Sequence, residues 1–400
     1  MKVLRITTRL FPDVGGPAKQ AYILSKFCSE KKIATHVITC KPAKSTYQKL
    51  KTINSNFIIH YLPFEAPGIN SSLIVQVIFF FRFLLFGSSK AIKIARYNKI
   101  SIIHGHSPAP TGFLVYILSK LLKIPFVYSI HGLDYPNPFS LILEMKLTIK
   151  NSEKTLSVNR KITQFIRDNF NLNNVVFFPN SINLNDFFHV NSIEHKRKII
   201  HNANLESILE EHDYIISYIG HMIFQQKVQG MIDFLHAFQN FLDQLDNNQK
   251  QSIKLIYVGD GKYSFLLKNE INRLNLEKNV FMIGERDDVA NILAISDLLG
   301  LTSYIEGFPN VVLEAMASKV PCIVSNVGEI QYMVGDHGFI VEPGKLTDMQ
   351  SCLDDCYNIA DEKRSILEEN VYQYVKHNFD ITTLGEKLIN LYIDILKKQK

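Results

Sequence analysis

The chain has 400 residues, more than one hydrophobic core ordinarily serves, so two domains are expected. With 46% hydrophobic and 20% charged residues it has the composition of a folded globular protein, which excludes a disordered or fibrous chain. The net charge of +6 hides an asymmetry, because residues 1–190 hold 24 Lys and Arg against 8 Asp and Glu while residues 191–400 hold 20 against 30. A basic first half is expected to meet an anionic surface or acceptor. Its cations are scattered and no nucleic-acid-binding motif accompanies them, so nucleic acid is not the expected partner. Five cysteines without a C-x-x-C pair suggest neither a disulfide framework nor a zinc site. The opening Met-Lys-Val-Leu-Arg-Ile reads directly as a strand rather than a signal peptide, so a cytoplasmic setting is expected.

In chain order, Val3–Thr8, Thr35–Thr39, Phe57–Tyr61, Ile100–His104, Phe126–Ile130, Lys154–Val158 and Val175–Pro179 read as short buried strands with helix-length segments between several of them. This is the rhythm of a parallel, doubly wound α/β sheet. The polar stretch Asn185–Ala203 loses periodicity and reads as a linker. The rhythm restarts with strands at Tyr214–Gly220, Ser252–Val258, Val280–Ile283, Leu298–Thr302, Cys322–Ser325 and Phe339–Val341, a helix at Met231–Phe241, and a last amphipathic helix over Thr382–Lys398. The predicted fold class is α/β, two Rossmann-like doubly wound domains facing a cleft. The boundaries are 1–190 and 191–379, and ligands are expected at the carboxyl ends of the strands.

Leu73–Phe86 is fourteen residues, almost all apolar, interrupted by Gln76 and Arg82 and followed by Lys90, Lys93, Arg96 and Lys99. As a helix it would span about 21 Å, short of the roughly 30 Å hydrocarbon core. Two readings stand: a buried helix of the first lobe, or an interfacial helix in peripheral contact with an anionic membrane.

Chemistry concentrates in Glu306-Gly-Phe-Pro-Asn-Val-Val-Leu-Glu314. Pro309 and Asn310 read as a helix start, and the backbone N–H groups of such a start form an anion site. Gly307, Phe308, Pro309, Asn310 and Val311 would cradle a diphosphate, with a sugar against Glu306 and ribose hydroxyls against Glu314. An ordinary amphipathic helix with two surface glutamates is the alternative. Gly15 and Gly16 follow the first strand, where backbone can approach a ligand closely. His131 ends a strand and can hydrogen-bond a sugar hydroxyl or a leaving group. His104 and His106, at i and i+2 without a third ligand at sensible spacing, read as a cleft wall or acceptor contact rather than a metal site. No Asp-x-Asp, Walker loop, Gly-x-Ser-x-Gly or Rossmann fingerprint is present.

Over essentially its whole length, and in motif order, the chain resembles the family 4 retaining glycosyltransferases of GT-B fold. The Glu306–Pro321 segment is the most specific element. The resemblance implies transfer of a sugar from a nucleoside-diphosphate donor, UDP- or GDP-sugar, to a hydroxyl of a lipid-linked or polysaccharide acceptor with retention, in cell-surface glycan synthesis and without metal or other cofactor. It implies His131, Glu306 and Lys227 as the catalytic group and Asp134 beside His104 and His106 on the acceptor side. It further implies donor contacts from Gly15, Gly16, Gly259, Gly284, Arg286, Ser303 and the Gly307–Val311 run with Glu314. His221 stands where relatives carry the Arg of a phosphate clamp, and a histidine does not replace a guanidinium fork. The clamp lysine is Lys227 counting from Gly220, or position 229, a glutamine, counting back from the helix. Lys227 is preferred, because two phosphates need a cation. The segment 380–400 is expected to pack back on the first lobe. A sugar-nucleotide epimerase, a phosphorylase of related fold and an inactive binding subunit remain open alternatives.

Overall fold

The structure is a computed structural model describing residues 1–13, 15–42, 52–68, 71–106, 110–131, 145–190 and 192–399. It divides into two units, Met1–Ser181 with Ile381–Lys400, and Ile182–Asp380. Among the described residues the first unit runs β1 (Lys2–Ile6), α1 (Gly16–Glu30), β2 (Ala34–Lys41), β3 (Thr52–Asn54), β4 (Phe57–Glu65), α2 (Leu73–Asn98), β5 (Ile102–His106), α3 (Thr111–Leu122), β6 (Phe126–Ile130), β7 (Lys154–Ser157), α4 (Arg160–Phe170) and β8 (Val175–Phe177). The second runs α5 (Ile193–Asn202), β9 (Tyr214–Ile219), α6 (Gln225–Asp243), α7 (Asn247–Gln251), β10 (Ile253–Val258), α8 (Ser264–Arg273), β11 (Val280–Met282) and α9 (Val289–Ala294). It continues through β12 (Leu298–Leu301), α10 (Asn310–Ala317), β13 (Cys322–Ser325), α11 (Ile330–Val334), β14 (Phe339–Val341), α12 (Leu346–Tyr357) and α13 (Asp361–Phe379). The chain then returns to the first unit as α14 (Ile381–Lys397).

The first sheet has the order β3-β4-β2-β1-β5-β6-β7-β8, parallel except for the β3–β4 pair. The second has the order β11-β10-β9-β12-β13-β14, all parallel. Among the parallel strands each order reverses once, between β1 and β5 in the first sheet and between β9 and β12 in the second. Such reversals part the loops at the carboxyl edge and make room for a ligand. The strands are apolar on both faces, as parallel sheets covered by helices require. On β6, Tyr128 packs with Leu4, Phe83 and Leu114, while Val127 packs on the opposite face with Leu24, Phe27 and Leu388.

Three features depart from the sequence reading. The stretch read as a linker contains α5, capped by the Ser192 hydroxyl and buried along Ile199 and Ile200. Only two inward apolar side chains carry that helix, so its periodicity is faint. The division falls at Ser181/Ile182, where the sequence placed it at 190/191. Strand β3 is a three-residue edge too short to show a pattern. The apolar run Leu73–Phe86 is the N-terminal half of α2. Its inner Phe83 is buried, whereas Leu73, Ile74, Ile78, Phe81 and Leu85 are exposed.

Candidate active site

In the second unit the two segments that part at the β9/β12 reversal bring a lysine and a glutamate together. Lys227 lies in the first turn of α6, after β9, and Glu306 lies in the loop after β12. The Lys227 ammonium donates to both Glu306 oxygens, Oε1 at 2.8 Å and Oε2 at 2.9 Å. The Glu306 side chain is only 8% exposed, so the pair is shielded from bulk water on the carboxylate side. An ammonium has three N–H donors, and this pairing leaves the third for another oxygen. Gln229 donates instead to Asp233 on the outer surface of α6. Of the two residues weighed for the clamp, Lys227 is therefore the one that meets Glu306.

Four residues past Glu306 the chain enters α10. Pro309 is the cap residue with extended backbone (ψ 111°), and Asn310 is the first helical residue, so the proline sits one position earlier than its sequence preference implies. No side chain caps this end. The first N–H groups of a helix have no intrahelical partner, and the helix dipole makes that end positive. Glu314 is buried one turn inside. The loop before α10 is fixed from beneath. Glu329 N–H donates to Gly307 O, and Gly328 takes a left-handed φ of 59° where a Cβ would stand 2.3 Å from Glu306 O. Only glycine fits there, a constraint the sequence reading did not draw from the Val327-Gly-Glu329 segment. Phe308 is buried against Phe379, and Ser303 is buried with its carbonyl accepting from Ser325 Oγ.

Along the same sheet edge, Gly220, Gly259 and Gly284 follow the neighbouring strands β9, β10 and β11. Gly259 N–H donates to Gly284 O at 2.7 Å, and at its φ of 125° a Cβ would lie 2.1 Å from Gly220 O. Gly284 also takes a left-handed φ of 71° but faces open space. Arg286 is committed to the scaffold, its guanidinium forking onto both Asp288 oxygens at 2.8 and 2.7 Å and donating to Ala203 O. His221 is exposed.

In the first unit Gly15 is the cap residue of α1, with φ 132°, and Gly16 opens the helix. No side chain caps that end either. His131 directly follows β6, and a chain of hydrogen bonds leads to it from the interior. Arg5, fully buried on β1, lies 2.8 Å from His106 Nε2, and His106 Nδ1 lies 3.1 Å from His131 Nε2. A guanidinium can only donate. His106 Nε2 therefore accepts, its Nδ1 carries the proton and donates to His131 Nε2, and His131 carries its own proton on Nδ1. Asn180 stands beside that ring. Arg5 also donates to Tyr392 Oη on α14, which lies 2.5 Å from His104 Nδ1, and His104 Nε2 meets Ser129 Oγ at 2.8 Å.

Burial pushes the His131 imidazole down to about 4, with Asn180 opposing and the Arg5 charge adding to the fall. His104 and His106 are held well below the ordinary range by burial, with the Arg5 cation and their neighbouring imidazoles reinforcing it. All three rings are neutral near pH 7. The acceptor-contact reading of His104 and His106 is corrected here. Both are fully buried, stacked 4.2 Å apart on one face of β5, and support His131 from behind. Asp134 lies outside the described residues. Among the described residues no group of three His, Cys, Asp or Glu side chains could hold a metal ion. Arg5, Tyr392 and Asn180 were missed in the sequence. Only Arg5, a lone charge inside an apolar strand, left a signal.

Residues 203–374 match the family model for glycosyl transferases group 1, and residues 14–186 match that for glycosyltransferase family 4. The chain is 25% identical to the N-acetyl-alpha-D-glucosaminyl L-malate synthase of Bacillus anthracis, over 99% of this chain and 98% of that protein. It is 26% identical to the UDP-Gal:alpha-D-GlcNAc-diphosphoundecaprenol alpha-1,3-galactosyltransferase of Escherichia coli, over 76% and 78% of the two chains. Among solved structures, the Anabaena protein HepE in complex with UDP-glucose superposes with a TM-score of 0.73 at 18% identity, covering 98% of this chain and all of that one.

Proposed function

The chain belongs to the family 4 glycosyltransferases, with the GT-B fold, and from that premise we propose that it transfers a hexose from a UDP-sugar to a hydroxyl of a lipid-linked or glycan acceptor, with retention of configuration. The observation that carries this reading is the Lys227–Glu306 pair at the β9/β12 reversal, four residues ahead of the uncapped start of α10. The diphosphate would take the α10 N–H groups and the third donor of Lys227. Glu306 would hold a sugar hydroxyl, and Glu314 the ribose hydroxyls. The UDP base in this reading is supported by the galactosyltransferase relative and by the UDP-glucose complex of HepE.

The acceptor oxygen attacks the anomeric carbon on the face from which the diphosphate departs. The new C–O bond forms as the old one breaks, and the acceptor proton passes to the leaving phosphate oxygen. Negative charge grows on that oxygen, where a positive helix end and an ammonium stabilise it. His131, neutral near pH 7, acts in this reading as a hydrogen-bonding group of the first unit rather than as an acid. The chemistry asks for no metal, since the cation is Lys227. Isothermal titration with UDP-glucose, UDP-N-acetylglucosamine and GDP-mannose tests the donor. Binding of a UDP-sugar that weakens at least about tenfold in Glu314→Ala supports the reading, and absence of binding to all three overturns it. Anomeric NMR of the product reads out retention.

A further inference from the structure

Helix α2 has a two-part outer face. Ile74, Ile78, Phe81 and Leu85 follow one another at helical spacing and are 71%, 52%, 64% and 69% exposed. The same spacing continued through Ser89 reaches Lys93 and Arg96, both exposed, and Tyr97, 88% exposed. One side of a single helix thus passes from apolar to cationic, with an amphipathic aromatic at its end. Solvent exposure of so many contiguous apolar side chains marks an interaction surface.

The inner face is not free to leave the protein. Phe83, Gly87, Ala91, Ile94 and Ala95 are buried, and at Gly87 a Cβ would meet Leu114 of α3 at 2.6 Å. By length and composition α2 could cross a bilayer, yet spanning one would strip these residues from the core. The helix therefore lies along a surface instead of through it.

Charge identifies that surface. Residues 66–133 contain no Asp or Glu, while Arg82, Lys90, Lys93, Arg96, Lys99, Lys120 and Lys123 all fall among them. Beside α2, α3 exposes Leu121 between Lys120 and Lys123. A second copy of this chain would press like charges together, and a nucleic acid would leave the apolar half in water. An anionic lipid surface satisfies both halves.

We propose that the outer face of α2 docks this protein on an anionic phospholipid bilayer, with Ile74, Ile78, Phe81 and Leu85 seated among the acyl chains and Lys93 and Arg96 on the headgroup phosphates. Insertion of a helix in the interface plane follows from its apolar face, and each basic residue near the surface strengthens binding about fivefold. The inference is independent of the transfer chemistry.

The test is flotation of the full chain with vesicles of phosphatidylcholine alone or mixed with phosphatidylglycerol. The native chain should rise with the mixed vesicles, less at high salt, and stay down with phosphatidylcholine. Phe81→Glu with Leu85→Glu should abolish flotation. Lys93→Gln with Arg96→Gln should weaken it about thirtyfold. Ile366→Glu, an exposed apolar position on α13, should leave it unchanged. Circular dichroism and UDP-glucose titration report the fold and the donor site of each variant separately. A native chain that remains soluble with anionic vesicles, or one whose α2 variants float as well as it does, overturns the proposal. So does sedimentation showing a lipid-free dimer that Phe81→Glu with Leu85→Glu dissolves.

Discussion

The two units share a doubly wound plan and fill its carboxyl edge with opposite chemistry. The first surrounds one buried cation, Arg5, with neutral imidazoles and a tyrosine hydroxyl. The second sets an ion pair, Lys227 with Glu306, in front of a helix start and floors its edge with glycines. One edge is backed by a chain of neutral hydrogen-bonded rings, and the other presents charge and bare backbone. The same sheet topology can therefore serve orientation in one unit and anion stabilisation in the other, because a fold fixes where loops part and not what they carry.

Acid should separate the two most strongly. His36, His60, His104, His106 and His131 are all pushed down in the folded first unit, chiefly by burial, His60 and His131 to about 4. A lowered histidine stabilises the fold fully above its unfolded value near 6.5, and that contribution is lost as pH falls, because the unfolded chain binds the proton first. The loss runs from about 6.5 down to each folded value, at up to about 1.4 kcal/mol per pH unit for each ring. In the second unit Glu270, held down to about 2 by Arg273, burial opposing and His236 assisting, gives up its contribution only below about 4.5. Hydrogen exchange followed from pH 7 to 4 should show the first unit opening before the second. Simultaneous opening would break the contrast.

Next in size is the charge on the second edge. Lys227→Ala should lower turnover about 10²- to 10³-fold, the usual effect of removing a group that stabilises a departing anion. The thermal unfolding temperature should fall as well, since the Glu306 carboxylate, 8% exposed, loses its counter-charge, so turnover is compared well below the transition. Turnover of His131→Gln, which keeps a hydrogen-bond donor, should fall less than that of His131→Ala. Equal losses would remove the hydrogen-bonding role. The last contrast lies within the glycine floor and ends on the smallest effect. Gly259→Ala forces a Cβ onto Gly220 O and should destabilise the second unit by several kcal/mol. Gly284→Ala meets no atom and should cost only about 1 kcal/mol for its left-handed backbone. Chemical denaturation of the two variants measures the difference.

The parts legible in sequence are those written locally. Phe126–Ile130 and Cys322–Ser325 form strands over the residues their apolar runs mark, because buried parallel strands need continuous apolar side chains. The Glu306–Glu314 spacing likewise announced a loop entering a helix. What stayed hidden depends on distant partners. The role of His106 is set by Arg5, 101 positions away, and that of His104 by Tyr392, 288 away. No local pattern distinguishes a histidine facing a ligand from one facing a buried guanidinium. Helix α5 was lost for another reason. Its Lys196 reaches Asp213 O and Asp297, so polar contacts hold much of its surface and leave little apolar rhythm to read.

Tyr392 sits on α14, and at Gly385 that helix approaches α1 so closely that a Cβ would stand 2.3 Å from Phe27. The first unit is thus completed by a segment the ribosome makes only after the whole of the second. During synthesis the second unit can form while the first still waits, Arg5 unsatisfied, for a tyrosine 387 residues downstream. A nascent chain stalled before Ile381 would hold a half-built N-terminal lobe, a natural client for chaperones.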